Sequence, residues 1–518
     1  RAAALHEAKG LAWLDGMEGP VVVPIGDADA LAKAVTELLG DPERLHRAGV
    51  AAEAIGSWLP WPNVAAREAE LVREVVARAG AGQLLHTLLV APPLVLDHLD
   101  RLTDEIGILQ FAEQDKPSAA SGYCVDDVAR LAIVAADLLA TGYGPETRAG
   151  SLAYRWLRQS LRFLSAAVDT SSGAMHNQLS YRGTWEDWPH LGDHVGRAMW
   201  GLGVVAGTSA VPTELRTRAT ALLEQLAVGA GALGQVGLRS AAYALLGVAR
   251  AGLATPAGEL VALLDTALRT TTATDPTWRW FEPELTYDNA RLPQALLAGA
   301  ALTGNDAAAA RALDALDWYA GRVRGPDGVL RCVGNAWYRR GESATQRRED
   351  DGDEQPLDAA AFAEAFDEAW RYRADPADAQ RAGLGLSWFL GTNRAGLRIL
   401  IESTGACYDG LSPAGVNANR GAESTLAYYQ ALFALIRSGL AVVSDPATPA
   451  AGPGPSQGSG RTLTGRAIMT RQIATDRSAA QRVVSSGGAG AAPPATPPAN
   501  RPVTGHRTRT AEGHTDAR

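Results

Sequence analysis

Between residues 95 and 440, apolar side chains recur three and four positions apart, the spacing that lays one stripe along an α-helix. This spacing predicts helices near 124–141, 149–168, 193–206, 212–229, 237–253, 257–270, 289–303, 306–323, 357–371, 376–391 and 421–439. They come in consecutive pairs, and antiparallel pairs with short loops bury their stripes against one another. Six such hairpins closed in a ring give the expected fold class, a mainly α chain built as an (α/α)₆ barrel over 95–440. An α-solenoid is the alternative, but no fixed repeat length supports it.

The two ends have a different texture. In residues 1–80 the run Val21-Val22-Val23-Pro24 has the look of a buried strand. Helical spacing then runs from Asp29 to Leu39, restarts at Asp41-Pro42-Glu43, and covers Trp58 to Val76. Strand followed by helices is α/β logic, here of an incomplete domain. Residues 81–94 form an Ala/Leu/Pro connector. From 441 to 518 the chain turns to Pro, Gly, Ala, Ser, Thr and Arg. From 444 on it has no aromatic residue and nine Arg against four acids. Such a segment buries too little to offset its chain entropy and is expected to be disordered.

Composition narrows the function classes. A net charge of −9 offers no global basic face for nucleic acid. Cys124, Cys332 and Cys407 lie far apart with no CxxC pair, against both a disulfide framework and structural zinc. With no run of eighteen apolar residues, no membrane span is expected. The chain begins at Arg1 without a leader pattern, so the expectation is a piece of a longer frame, or a processed product, working in the cytoplasm. No phosphate-binding Gly motif stands between a strand and a helix, and no cofactor is expected. The GxSxG string at 454–458 lies in the tail and reads as chance.

Chemistry-bearing residues concentrate where loops meet helices. Asp126-Asp127 opens an apolar helix after Gly122-Tyr123-Cys124. Trp185 to His190 leads into Asp193-His194 and on to Arg197 and Trp200. Trp278 to Pro293 holds Trp280, Glu282, Glu284, Tyr287, Asp288 and Asn289. Asp353-Glu354-Gln355 precedes a helix, and Trp388 to Asn393 follows one. Asp409, Asn417, Asn419 and Glu423 lead into the last helix. Helix capping and dipole compensation would explain single acids at these points. Acids, aromatics, amides and arginines together suit a sugar site: aromatic faces stack on a pyranose, and paired carboxyls supply acid and base. His190 and His194 have HxxxH spacing, but Pro189 and Gly192 argue against a shared helix, and no metal is expected.

Two resemblances add to this reading. The stretch Val23-Pro24-Ile25-Gly26-Asp27-Ala28-Asp29-Ala30-Leu31-Ala32, with Leu38 to Glu43 and Ser57-Trp58, resembles the C-terminal end of a GT-B glycosyltransferase of the family-4 type. Of that family's donor motif at most a trace remains, around Glu7 to Gly10, which implies an incomplete transferase. Gly122–Arg130, Gly196–Trp200, Tyr287–Pro293, Gln355–Ala359, Trp388–Asn393 and Asp409–Thr425 resemble the six-hairpin glycosidase-like superfamily, in a group where the barrel follows a glycosyltransferase domain.

The resemblance implies a carbohydrate-active enzyme, glycoside hydrolase-like or a phosphorylase, acting on an oligosaccharide or polysaccharide. The catalytic pair is expected among Asp127, Asp288 and Glu423, with Asp126, Asp193, Asp409 and Glu354 in reserve. Trp200, Trp280, Tyr287 and Trp388 are expected to stack on sugar rings. Arg197, His194, Asn289 and Asn419 are expected to bind hydroxyls, with Glu354 also near substrate. The alternatives are a glycan-holding module of a glycosyltransferase, a sugar epimerase or isomerase using His176, His190 and His194, and a structural helical scaffold.

Overall fold

A computed structural model describes residues 27–58, 88–334, 338–342 and 353–444, with the backbone alone for 51–58. Its helices follow the expected spacing closely. α1 (Ala28–Gly40) and α2 (Pro42–Trp58) match the two helical stretches after Asp27. The Asp27 carboxylate accepts the Ala30 amide at 2.8 Å and Asp41 accepts that of Arg44 at 3.0 Å, so each Asp starts its helix as a cap. The expected strand at Val21–Val23, the Trp58–Val76 helix and the tail beyond Ser444 lie outside the described residues.

The remaining helices are α3 (Asp97–Leu102), α4 (Val125–Ala140), α5 (Arg148–Ala167), α6 (Asp193–Gly207), α7 (Thr213–Ala227), α8 (Leu238–Arg250) and α9 (Ala254–Thr274). α10 (Arg291–Thr303), α11 (Asp306–Val323), α12 (Pro356–Arg373), α13 (Pro376–Phe389) and α14 (Ala422–Arg437) complete the set. Among the described residues, α4, α6, α8, α10, α12 and α14 each pack on the next, and α14 returns to α4. That contact closes an inner ring. α5, α7, α9, α11 and α13 pack outside it, and the short α3 takes the sixth outer place against α14. The ring is an (α/α)₆ barrel.

Burial explains the two patterns. Inner helices are covered on both sides, so α4 is buried continuously from Asp127 to Leu139. Outer helices bury one stripe, as Leu215, Ala219, Leu223 and Leu226 do on α7. The α6–α8 seam is the closest in the ring. A Cβ on Gly203 would stand 2.0 Å from the Gly247 carbonyl oxygen, and one on Gly247 would stand 2.1 Å from that of Met199. The α10–α11 turn is written in Gly304-Asn305. Gly304 takes a left-handed φ of +69°, and the Asn305 side chain accepts the Ala308 amide at 3.1 Å.

Two differences from expectation have simple causes. α3 is six residues long, too short to register as a periodic helix. β1 (Leu89–Ala91) pairs in parallel with β6 (Ala441–Val443), so the compact unit extends past both expected limits of 95 and 440. The loops entering the inner helices carry small antiparallel ladders. β2 (Tyr123–Cys124) pairs with β3 (Gln178–Leu179), and β4 (Glu284–Leu285) with β5 (Tyr338–Arg339). These ladders fix the rim on which the chemistry-bearing residues sit.

Candidate active site at the helix N-termini

The inner helices start at one end of the barrel, and their first turns touch one another. Six N-termini therefore aim partial positive charge at one mouth and favour carboxylates there. The acids do more than cap. The N-cap of α4 is Cys124, whose sulfur accepts the Asp127 amide at 3.4 Å. Asp193 opens α6 without capping it, and its carboxylate receives the hydroxyls of Ser240, at 2.6 Å, and Tyr287.

Asp288 does not cap α10 either. It sits in a left-handed turn at φ +48°, a conformation that costs a non-glycine residue energy. Its carboxylate is held by the Tyr243 hydroxyl at 2.5 Å and Arg291 Nε at 3.3 Å, with Arg197 Nη2 at 3.7 Å.

Two chains of charge link the mouth to the interior. In the first, Glu423 meets Arg130 Nη2 at 2.6 Å, and Arg130 Nη1 meets Asp127 at 2.8 Å. Glu423 is 43% exposed, whereas Arg130 and Asp127 are buried. In the second, Asp126 meets Arg197 Nε at 3.2 Å, and Arg197 Nη2 donates to the Tyr243 hydroxyl at 2.8 Å and lies 3.7 Å from Asp288. Asp126 is 22% exposed and Asp288 is buried. Each chain thus runs solvent-reaching carboxylate, buried guanidinium, buried carboxyl. Arg197 Nη1 is buried with no hydrogen-bond partner among the described residues.

The buried acids are tuned by this setting. Burial, reinforced by Glu423 and Asp126, outweighs the Arg130 guanidinium and pushes the Asp127 carboxyl up to about 7. On α12, burial and the nearby Asp288 push Asp358 up to about 8, against the pull of the Asp288 and Asn289 amides. Burial and the neighbouring acids raise the Cys124 thiol, which makes it a poor nucleophile.

The other expected site residues divide. Tyr287 is half-buried at the mouth, its hydroxyl on Asp193 and its ring 4.8 Å from the Arg239 guanidinium carbon. Asn419 is exposed, and its side-chain oxygen accepts the Gln114 amide at 3.1 Å.

Three aromatic assignments need correction. Trp280 is fully buried among Phe281, Trp318 and Tyr319, and Trp388 is fully buried with its N–H on Glu354 at 2.9 Å. Trp200 is buried between Tyr243 and Arg291. None of these rings presents an open face to a sugar.

Several polar residues serve the frame as placed. Glu354 is buried against Trp388 and Arg394. Asn289 is buried and closes the Thr286 turn, accepting the Thr286 amide at 2.9 Å. Asp409 accepts the Gly421 amide at 2.6 Å and so sets the start of α14.

A histidine group borders the mouth. Asp187 lies 3.7 Å from His176 Nδ1 and 3.5 Å from that of His190, and the His190 and His194 rings are 4.5 Å apart. His194 is buried, donates Nε2–H to the Met175 carbonyl at 3.0 Å, and burial lowers its pKa. Among the described residues no group of three or more His, Cys, Asp or Glu is arranged to hold a metal.

Arg130, Arg291 and Asp358 lie within the motifs read from the sequence but without an individual role there, and Tyr243 lies outside them. The available signal was a charge or hydroxyl inside an otherwise apolar helix, where burial demands a partner.

No family model matches the chain, and no curated protein does. Among solved structures the chain is similar to a sugar epimerase from a ruminal bacterium, at 12% identity and a TM-score of 0.49, covering 65% of this chain and 94% of that one. A cellobiose 2-epimerase from Bacillus thermoamylovorans matches at 12% and 0.49, covering 66% and 95%. The cellulase Cel9M of C. cellulolyticum, solved with cellobiose, matches at 12% and 0.42, covering 66% and 90%. At these values the likeness assigns no residue role, and the fold rests on the ring closure within this chain.

Proposed function

We propose that the chain is a carbohydrate-active enzyme that cleaves a glycosidic bond by acid–base catalysis at the barrel mouth. The observation that carries this reading is the pair of solvent-reaching carboxylates, Glu423 and Asp126, each backed by a buried guanidinium and a buried carboxyl. Glu423 and Asp126 would touch the sugar, one giving a proton to the leaving oxygen and the other activating water or attacking. Asp127 and Asp288 would set the charge of Arg130 and Arg197 from beneath. Tyr287 would offer a ring edge, and Arg197 Nη1 a hydroxyl-binding donor. Residues 1–80 we take as the remnant of a GT-B domain, with α1 and α2 as its closing helices.

The test is product release by the full chain from α- and β-linked mannan, glucan and galactan oligosaccharides, with and without phosphate. A new reducing end supports hydrolysis, and a sugar phosphate supports phosphorolysis. No product from any glycan, with binding still seen by calorimetry, would replace the proposal with a glycan-holding module. The histidine group favours a second reading, a sugar epimerase or isomerase, in which His190 or His176 moves a proton on a carbon beside a carbonyl. That reading requires deuterium from solvent to enter a free sugar without any new reducing end.

A further inference from the structure

A polar cavity of about 190 Å³ extends from the end of the barrel where the inner helices terminate inward to Gln294 and Glu364. Asp137, Trp200, Arg250, Glu364 and Arg437 line it. At ~30 Å³ per water, the space takes a small ion with its remaining hydration. Arg250 is the last residue of α8 and Arg437 the last of α14, with Arg371 in the final turn of α12.

Cations at helix C-termini compensate the dipole, and that is the plain structural role for these arginines. Their arrangement goes further. Arg250 Nη2, at 2.9 Å, and Arg371 Nη2, at 2.6 Å, share one oxygen of Glu368, so two guanidiniums are crowded on a single carboxylate atom. Arg437 pairs with Asp137 on the same cavity. Arg371 also meets Asp367 at 3.0 Å, and these acids are less exposed than the arginines they pair with. Side-chain exposure is 13% for Glu368 and 5% for Asp137, against 30% for Arg250, 30% for Arg437 and 34% for Arg371. What the mouth presents to solvent is therefore guanidinium. Glu368 supports the charge on Arg250, yet burial and the neighbouring Arg371 and Arg437 together lower its pKa.

We propose that this rear cavity is a binding site for a phosphate-class oxyanion, held by Arg250 and Arg437 with Arg371 behind them. Each guanidinium carries five N–H donors in a planar fork that fits phosphate oxygens in pairs. An anion between the forks would relieve the crowding of like charge. The ligand would be inorganic phosphate or the phosphate of a small phosphorylated sugar, which share this chemistry. The cavity reaches inward to Gln294 and Glu364, which hold Arg291 beneath Asp288, but Arg250 and Arg437 lie at its far end, and the inference does not depend on the reaction proposed at the front.

The experiment is calorimetric titration of the full chain with inorganic phosphate, and in parallel with glucose 6-phosphate. Saturable binding is expected, weakened about tenfold or more by Arg250→Gln and by Arg437→Gln. Binding should be unchanged by Glu423→Gln at the front. The tighter of the two ligands identifies the source of the phosphate. If Arg250→Gln fails to fold, Arg250→Lys replaces it, keeping a charge beside Glu368 while losing the fork, and the same weakening is expected. Absence of saturable binding to either ligand overturns the proposal. So does native affinity in folded Arg250 and Arg437 variants, or a loss confined to Glu423→Gln, which would place the anion at the front.

Discussion

Replacing Asp358 by Asn tests whether the interior of the barrel mouth holds a proton at neutral pH. The carboxyl is buried beside Asp288, and its ordinary value of 3.8 is pushed up to about 8. A carboxyl raised in the folded state is most stabilising while it stays protonated in both states. That stability is full below pH 4, where the unfolded chain is protonated too, and is lost as pH rises toward 8. At 1.36 kcal/mol per unit, the loss reaches roughly 4 kcal/mol by pH 7 and roughly 5–6 kcal/mol by pH 8. Asn has nearly the same shape, keeps an oxygen for the amides of Asp288 and Asn289, and does not titrate. The assay is urea unfolding of the native chain and Asp358→Asn at pH 5, 7 and 9. The variant is expected to gain on the native protein from pH 5 to about 8 and to level off above it. Asp127 titrates with the same sign in both proteins and cancels in the difference. A difference that stays constant from pH 5 to 9 would refute the reasoning, because Asp358 would then be ionised in the folded chain just as in the unfolded one.

Three further outcomes follow from the geometry. Arg130→Met leaves Asp127 buried without its cation and should cost roughly 3–5 kcal/mol by chemical denaturation, the penalty for removing one member of a buried pair. Gly203→Ala forces the α6–α8 seam apart against the Gly247 carbonyl and should cost about 1–3 kcal/mol, read as a lowered Tm. Cys124→Ser should keep turnover within about threefold of native, and the native thiol should resist iodoacetamide at pH 7.5 until urea is added, because burial keeps it protonated.

The helices were legible because an inner or outer helix declares itself in local spacing. α11, predicted at 306–323, is found at Asp306–Val323. α3 was not legible, because one and a half turns carry no period. The acids of the mouth were legible for a similar reason, since each opens a helix after a polar loop. Their partners were not. Arg130 meets Glu423 across 293 residues of chain, a contact that exists only because α14 closes on α4. The aromatics misled for the same physical reason. Trp280 sits in a loop and Trp388 at the end of α13, both in stretches whose composition suits a sugar, yet both rings turn inward and are buried. Asp288 looked like an N-cap by position, and only its left-handed φ and its contact with Tyr243 separate it from that role.

The central claim is that Glu423 and Asp126 do the chemistry while Asp127 and Asp288 act from beneath. The most direct measurement is kcat for Glu423→Gln and Asp126→Asn on the best glycan substrate, with circular dichroism to confirm folding. A loss of roughly 10²–10⁴-fold is expected in each, the range for removing a positioned acid or base. Folded Glu423→Gln and Asp126→Asn chains turning over at the native rate would contradict it and move the chemistry away from this pair.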